Sequence, residues 1–142
     1  MKSTIIKGNI VLIVLCTALF LSCEKKVEKP VITEFIAEPA TAVVNQEVYF
    51  TVEHTGDYAV IWTGDLKSNY DAYLEQIANP PSDVERNVVS SHDKGAIMTS
   101  TTYMKRYLTA GVYTVVVIVS NVGDMGETIE QAMETLEITI TE

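Results

Sequence analysis

Histidine and cysteine, the side chains on which most zinc sites and many nucleophilic enzymes depend, are nearly missing from this chain. Its 142 residues contain two of each, at Cys16, Cys23, His54 and His92. A zinc site needs three or four such ligands or carboxylates at short spacing, and no stretch of the sequence has that form. We therefore expect no resident cofactor, with calcium, considered below, as the one alternative.

A catalytic constellation is missing as well. The nearest approach to one is Ser90-Ser91-His92-Asp93, but adjacent residues cannot form a triad, because nucleophile and base must converge in space. No strand-turn-helix nucleophile elbow is apparent either. We interpret the segment as a polar loop before the Lys94-Gly95 turn and predict a protein that is not an enzyme. An enzyme of unrecognised type would require His54, His92 and a carboxylate to meet in one cleft.

Positive charge is also scarce. Lysine and arginine number 10 against 19 aspartates and glutamates, which gives a formal net charge of −9 at pH 7. Nucleic acids and anionic lipid surfaces repel such a chain. We therefore predict no nucleic-acid partner.

Long apolar runs are limited to the N-terminus. Lys2 and Lys7 precede an uncharged, almost wholly apolar stretch from Ile10 to Leu21, which is the layout of a secretory signal peptide. A helix that crosses a bilayer needs about 20 apolar residues, so this run is too short for a permanent membrane span. The sequence predicts a cleaved signal peptide over residues 1–22.

The apolar run ends in Leu19-Phe20-Leu21-Ser22-Cys23 and is followed at once by charged residues. This pattern resembles the lipobox of bacterial lipoproteins, in a relaxed form similar to that of the Bacteroidetes. The resemblance implies cleavage before Cys23, lipidation of Cys23 and attachment to the outer membrane, on its periplasmic face or at the cell surface. An ordinary signal peptidase is the alternative, although only Ser22 supplies a small residue. Residues 23–30 would then be the lipidated cysteine and a polar tether.

Beyond Pro30 the apolar residues recur with a period of two, which indicates strands with one face in a core. Val31 to Ala37 is a looser example, and Val112 to Val119 is apolar on both faces, so it should be a central strand covered on both sides. Ile97 to Tyr107 reads as a further strand. The clearest alternating sets are Val48, Phe50 and Val52; Leu136, Ile138 and Ile140; and Tyr58, Val60 and Trp62.

One segment has helical spacing instead. Tyr70, Tyr73, Leu74 and Ile77 follow a capping residue at Ser68 or Asn69, and Asn79-Pro80-Pro81 ends the pattern. We expect this short helix to cover the second face of the Val112–Val119 strand. Together these patterns predict an all-β sandwich over residues 31–142, with a helical insertion at about 66–95.

The stretch from Tyr107 to Asn121, with Gly111, Tyr113 and alternating apolar residues, resembles the end of a PKD domain. The resemblance implies an immunoglobulin-like sandwich that acts as a non-catalytic binding or spacer module of the cell envelope. Gly111 would need a positive φ, Tyr113 would form a tyrosine corner, and Asn121 would close a hairpin. The chain departs from the family in Trp62-Thr63-Gly64-Asp65 and in the insertion that follows.

Four aromatic residues are candidates for binding a glycan or an envelope protein: Trp62, Tyr70, Tyr73 and Tyr49. Strand and helix spacing also explains the first three as core residues, whereas Tyr49 falls on the polar face of its strand. A carbohydrate-binding lipoprotein of a glycan-uptake system is the alternative function. It would require the insertion to expose two or more coplanar aromatic rings.

Calcium is the remaining candidate ligand. Asp57, Asp65 and Asp71 would supply hard oxygen ligands if they met at one end of the sandwich. No calcium-loop motif is present, so solvated turn residues are the alternative interpretation.

Overall fold

The computed structural model describes residues 26–66, 68–79, 94–123, 126 and 128–142. Within these ranges the chain forms eight strands and one helix, α1 (Tyr70–Ala78). The strands are β1 (Ile32–Glu38), β2 (Thr41–Val43), β3 (Glu47–His54), β4 (Tyr58–Trp62), β5 (Ala96–Met98), β6 (Thr102–Arg106), β7 (Gly111–Val122) and β8 (Ile129–Thr141).

The strands form two sheets that pack face to face. One has three strands in the order β1-β3-β6, and the other has five in the order β2-β8-β7-β4-β5. All neighbours are antiparallel except β2 and β8, which are parallel. After β1 the chain passes a cis peptide bond between Glu38 and Pro39 and joins the second sheet as β2. The predicted immunoglobulin-like β-sandwich is thus confirmed.

The core lies between the sheets, where the alternating residues of β3 and β8 point inward. Val48, Phe50 and Val52 are fully buried, and so is Ile138, while Ile140 is 2% exposed. They pack with inward residues of β7, and helical spacing would not place them on one face. The buried β7 residues facing them are Val115, Val117 and Val119.

Strand β7 is central and apolar on both faces, as predicted. Val116, which points away from the core, is only 5% exposed. Its lateral neighbour in β4 is Trp62, the residue that α1 covers. The helix begins after the cap residue Asn69 and ends before Asn79, close to the predicted limits.

The alternation in β4 was assigned to the wrong face. Ala59 and Ile61, not Tyr58, Val60 and Trp62, belong to the core clusters. Period two locates a strand but not its inward face, and here both sets are apolar. The larger side chains therefore point away from the core, onto the outer face of the five-stranded sheet.

The predicted strand from Ile97 to Tyr107 is two strands in different sheets. Residues 96–98 pair with β4 in the five-stranded sheet, whereas residues 102–106 pair with β3 in the other. The chain changes sheets at the bend formed by residues 99–101. Strand β2, which is only three residues long, was not predicted.

Tyr113 forms the predicted tyrosine corner. Its hydroxyl donates a 2.8 Å hydrogen bond to the carbonyl oxygen of Thr109, four residues upstream. Its ring lies 4.3 Å from the buried ring of Tyr107, centroid to centroid. The positive φ expected at Gly111 is confirmed, with a value of 159°.

Part of the predicted tether packs on the sandwich. Pro30 is buried, and the backbone carbonyl of Glu28 accepts a 2.9 Å hydrogen bond from the Asn121 amide. Asn121 was expected to close the β7–β8 hairpin, but a 2.8 Å bond from the Gly123 amide to the Thr128 carbonyl closes it instead. Within the described ranges, the helical residues are too few and too polar to cross a bilayer.

Candidate functional site

A cleft of about 270 Å³ lies on the outer face of the five-stranded sheet, against α1. We call it the α1 cleft. Strands β4, β7 and β8 contribute its floor and one rim, α1 contributes an aromatic wall, and the segment before β5 contributes a lysine. The described residues that line it are Tyr58, Val60, Trp62, Tyr70, Tyr73, Lys94, Ile118, Ser120 and Gln131.

The insertion covers Trp62 from two directions. Its ring centroid lies 5.0 Å from that of Tyr70, nearly edge to face, and 5.4 Å from that of Tyr73. Gly95 covers the indole as well, since a Cβ built there would fall 2.7 Å from Trp62 Cε2. Trp62 is therefore only 4% exposed and acts mainly as the supporting layer beneath the two tyrosines.

The cap and the preceding turn fix the position of α1. The side-chain oxygen of Asn69 accepts a 3.1 Å hydrogen bond from the Ala72 amide, and Asp71 lies in the first turn, where negative charge is favourable. The Ser68 hydroxyl accepts a 3.0 Å bond from the Thr63 amide, which joins the turn to the end of β4. These contacts place Tyr70 and Tyr73 over Trp62.

Only half of the predicted apolar helix face is covered. Leu74 is 44% exposed and Ile77 is 60% exposed, whereas Tyr70 and Tyr73 contact Trp62. The helix contains no buried residue. Its described contacts thus serve the aromatic cluster more than the sandwich core.

The floor of the cleft is aliphatic and one rim is polar. Val60 and Ile118 are lateral neighbours in the sheet, and both line the cleft. In the next row, the Gln131 amide donates a 3.0 Å hydrogen bond to the Ser120 hydroxyl. Tyr58 and Lys94 add a phenol and an ammonium group. Such a lining offers apolar contact on one side and hydrogen-bond donors and acceptors on the other.

The aromatic rings are not coplanar. The interplanar angle is 66° between Trp62 and Tyr70, 38° between Trp62 and Tyr73, and 33° between Tyr70 and Tyr73. The part of the insertion that the structure describes therefore presents no flat platform, which was the criterion for a carbohydrate-binding lipoprotein. A ligand would meet ring edges and a concave surface.

Tyr49, the fourth aromatic candidate, lies on the opposite side of the molecule. It is 43% exposed on the outer face of the three-stranded sheet, and its hydroxyl donates a hydrogen bond to Glu47. That bond, together with the ion pair with Arg106, lowers the pKa of the Glu47 carboxyl. Tyr49 is not part of the α1 cleft.

The three candidate calcium ligands do not meet. Asp57 precedes β4 and accepts a 2.8 Å hydrogen bond from the Val122 amide, whereas Asp65 follows β4 and pairs with Lys105. The two carboxylates thus lie at opposite ends of one strand, and Asp71 lies in the first turn of α1. No group of three or more His, Cys, Asp or Glu side chains suited to a metal occurs among the described residues.

Of the other residues that the sequence singled out for catalysis or lipidation, the structure describes only His54. The imidazole of His54 accepts a 3.1 Å hydrogen bond from the Gly56 amide in the turn before β4. Cys23 and the segment Ser90–Asp93, which includes His92, lie outside the described residues.

Sequence reasoning missed the polar rim. Ser120 is 1% exposed although it lies in an apolar strand, and a buried hydroxyl requires a partner. That interruption of β7 was the available signal. Gln131 in β8 supplies the partner, but only the register of the β7–β8 pair reveals it.

No protein-family model and no curated protein matches the chain. Among solved structures, it is similar to a protein from a study of the promiscuous specificity of carbohydrate-binding modules of the β-sandwich superfamily. The two are 19% identical with a TM-score of 0.53, and the alignment covers 82% of this chain and 36% of the solved one. Similarity at this level of identity shows the β-sandwich fold alone.

Proposed function

We propose that this protein is a non-catalytic binding module of the bacterial cell envelope, anchored to the outer membrane through a lipidated Cys23. Its scaffold is a PKD-like sandwich, and its ligand site is the α1 cleft. The cleft itself carries the proposal, because it joins an aromatic wall, an aliphatic floor and a polar rim. Small-molecule sites typically have this composition.

The insertion supports a binding role over a spacer role. A spacer requires only a stable sandwich, yet α1 has no buried residue and adds little to the core. A helix of nine residues is marginal on its own in water, so its contact with Trp62 must hold it in place. The segment instead forms one wall of a concave surface.

The tilted rings do not meet the flat-platform criterion, so we propose a ligand that enters a concave cleft instead: a short glycan or the end of a longer one. Sugar rings offer C–H faces for aromatic contact and hydroxyls for a polar rim, which Tyr58, Gln131 and Lys94 provide here, while the buried Ser120 hydroxyl accepts a hydrogen bond from Gln131. The tilted rings disfavour the flat surface of a polymer. The volume of about 270 Å³ is near the lower limit of typical ligand pockets, which suits one or two rings. The solved structure to which this chain is similar comes from a study of carbohydrate-binding modules, which favours the same ligand class.

A binding screen tests the ligand site. The soluble form that starts at Glu24 is applied to an array of mono- and oligosaccharides, beside Tyr73→Ala and Tyr49→Ala variants. We expect Tyr73→Ala to lower affinity at least tenfold, and Tyr49→Ala on the opposite face to bind as the wild type does. Because the chain has a single tryptophan, Trp62, ligand binding should also change its fluorescence. Equal loss in both variants, or none in either, would contradict the assignment of the cleft.

A labelling experiment tests the anchor. The full precursor is expressed in a bacterium fed an alkyne fatty acid, with Cys23→Ala as the matched control. We expect the wild-type protein to carry the label and to occur in the outer-membrane fraction. The Cys23→Ala variant should carry no label. Mass spectrometry that finds an unmodified N-terminus at Cys23 or nearby would refute lipidation.

A further inference from the structure

The segment from Lys26 to Pro30 is attached to one end of the sandwich. The side-chain amide of Asn121 donates a 2.9 Å hydrogen bond to the backbone carbonyl of Glu28, and Pro30 is buried. A Cβ built on Gly123 would fall 2.7 Å from a methyl group of Val27, so glycine permits this close approach. Contacts of this kind fix the segment along its length, and it does not act as a free linker.

The attachment continues directly into the first strand. The Val31 amide donates a 3.0 Å hydrogen bond to the Thr55 hydroxyl, and the Thr55 amide donates one of equal length to the Val31 carbonyl. Thr55 lies in the turn between β3 and β4. The side-chain oxygen of Asn121 also accepts a 3.0 Å hydrogen bond from the backbone amide of Asp57 in that turn. The β3–β4 turn, the end of β7 and the N-terminal segment therefore form one structural unit, which we call the docked end.

Very little chain separates the docked end from Cys23. Lys26 is three residues from Cys23, and a fully extended chain spans at most about 3.6 Å per residue. The two Cα atoms therefore lie within roughly 11 Å of each other. A lipid on Cys23 would hold Lys26 at the level of the headgroups, which occupy roughly 5–8 Å outside the hydrocarbon core.

The α1 cleft extends from the docked end toward the opposite end. Tyr58 lies next to the docked end, and Trp62 lies at the far end of β4 with α1 behind it. Trp62 is opposite Val116, six residues along β7 from Val122, a distance of roughly 20 Å at about 3.4 Å per residue. The aromatic wall is thus well removed from the point where the anchor attaches.

We infer that the docked N-terminus holds the domain upright on the membrane, with the docked end against the lipid headgroups and the aromatic wall facing away. This inference rests on the proposed lipidation. Charge adds little to the contact, because Glu24 and Glu28 offset most of the charge of the three lysines in residues 24–29. The short, docked connection alone sets the orientation, and the partner of the docked end is the bilayer surface.

Two single-cysteine variants test the orientation, because a lipidated mature chain has no other thiol. Ile129→Cys lies at the docked end, opposite Val122, and is 54% exposed. Leu108→Cys precedes β7 at the far end and is 78% exposed. Each lipidated variant carries a thiol-linked fluorophore in phosphatidylcholine vesicles that contain a lipid with a nitroxide on its headgroup. We expect several-fold stronger quenching at residue 129 than at residue 108.

An insertion provides the matched control. Twelve Gly and Ser residues between Lys25 and Lys26 leave the docked contacts intact but add roughly 20 Å of average reach. We expect the difference between the two sites to disappear in this form. Equal quenching in the form without the insertion, with the protein bound to vesicles, would overturn the orientation alone. Protein that fails to float with the vesicles would overturn the lipid anchor, and the orientation with it.

Discussion

The two outer faces of the sandwich begin from similar alternating strands and become different surfaces. On the three-stranded sheet, Tyr49 is 43% exposed and bonds to the neighbouring carboxylate of Glu47. On the five-stranded sheet, Trp62 is 4% exposed beneath Tyr70 and Tyr73. Trp62 lines the α1 cleft because another segment covers it, whereas Tyr49 stays in solvent.

The covering segment is the insertion between β4 and β5. It places α1 and Gly95 over Trp62, while among the described residues no comparable segment lies over Tyr49. The insertion thus covers part of the outer face of the five-stranded sheet, whereas the outer face of the three-stranded sheet is solvated around Tyr49. Substitutions on the two faces should differ accordingly, and the predictions below follow that contrast from the largest effect to the smallest.

Replacing Trp62 by alanine should cause the largest loss of stability. Removing a buried tryptophan typically costs about 3–5 kcal/mol, because the cavity adds to the lost burial. Tyr49→Ala, on the solvated face, should change the free energy of unfolding by no more than about 0.5 kcal/mol. Urea unfolding followed by circular dichroism measures both.

The Trp62→Phe variant tests whether the loss of stability comes from the aromatic contacts of Trp62 or from failure of the chain to fold. It keeps an aromatic ring under Tyr70 and Tyr73, so it should cost less than the alanine variant. Losses of similar size for Trp62→Ala and Tyr49→Ala would mean that the two faces are equivalent and that the insertion does not bury Trp62.

Two glycines with nearly the same φ test how closely the insertion packs on Trp62. Gly95 has φ of 74° and Gly126 has φ of 76°, so alanine is disfavoured at both by about 1–2 kcal/mol. A Cβ at Gly95 would meet Trp62 at 2.7 Å, whereas one at Gly126 would meet nothing within 4 Å. We expect Gly95→Ala to cost about 1–3 kcal/mol more than Gly126→Ala, because of overpacking.

The same urea titration measures this pair, with Trp62 fluorescence as a second signal. Gly95→Ala should shift the emission of the indole, and Gly126→Ala should not. Equal costs and an unchanged spectrum would show that Gly95 does not press on Trp62 in solution.

Tyr107 connects the two sheets and should make stability sensitive to alkaline pH. Its hydroxyl donates a 2.8 Å hydrogen bond to the carbonyl oxygen of Thr63 at the end of β4. Burial raises the pKa of this phenol above its ordinary value of 10.0, and the negative charge of Asp65 raises it further. Above pH 10 the unfolded chain releases the proton while the folded chain retains it, so stability is full below pH 10 and falls as pH rises.

Tyr107→Phe should weaken that alkaline loss. The variant should cost about 1–3 kcal/mol at neutral pH, since the Thr63 carbonyl loses its phenol donor. It should then lose less stability than the wild type between pH 9 and pH 11. Comparison of the two proteins isolates the contribution of Tyr107, and Tyr103→Phe serves as a control. Parallel pH profiles would contradict the role of Tyr107.

Much of the sandwich could be predicted because period two reports which residues share a face. The alternation in Val48–Val52 and Leu136–Ile140, together with the Tyr113 corner, was enough for the fold class. The inward face of β4 could not be predicted, because both of its faces are apolar. The change of sheet within Ile97–Tyr107 was likewise invisible, since it depends on pairing partners that are distant in sequence.

The candidate site was predictable only in its aromatic residues. Helical spacing placed Tyr70 and Tyr73 on one face, but their contact with Trp62 depends on the path of the insertion over the sheet. Ser120 and Gln131 meet across two strands, so register alone unites them. Asp57 and Asp65 were considered as ligands at one end of the sandwich, but strand β4 separates them in space.

The ion pair on the solvated face should have the smallest effect. Arg106 pairs with Glu47, and both side chains are substantially exposed. A hydrogen bond from Tyr49, and then Arg106, lowers the pKa of Glu47, so any linked stability exists above pH 4.5 and disappears as pH falls. Water and salt screen such pairs, so Arg106→Gln should leave the urea midpoint unchanged at physiological ionic strength. A clear drop in stability that persists in 1 M salt would mean that this face is not solvated, and the contrast between the two faces would fail.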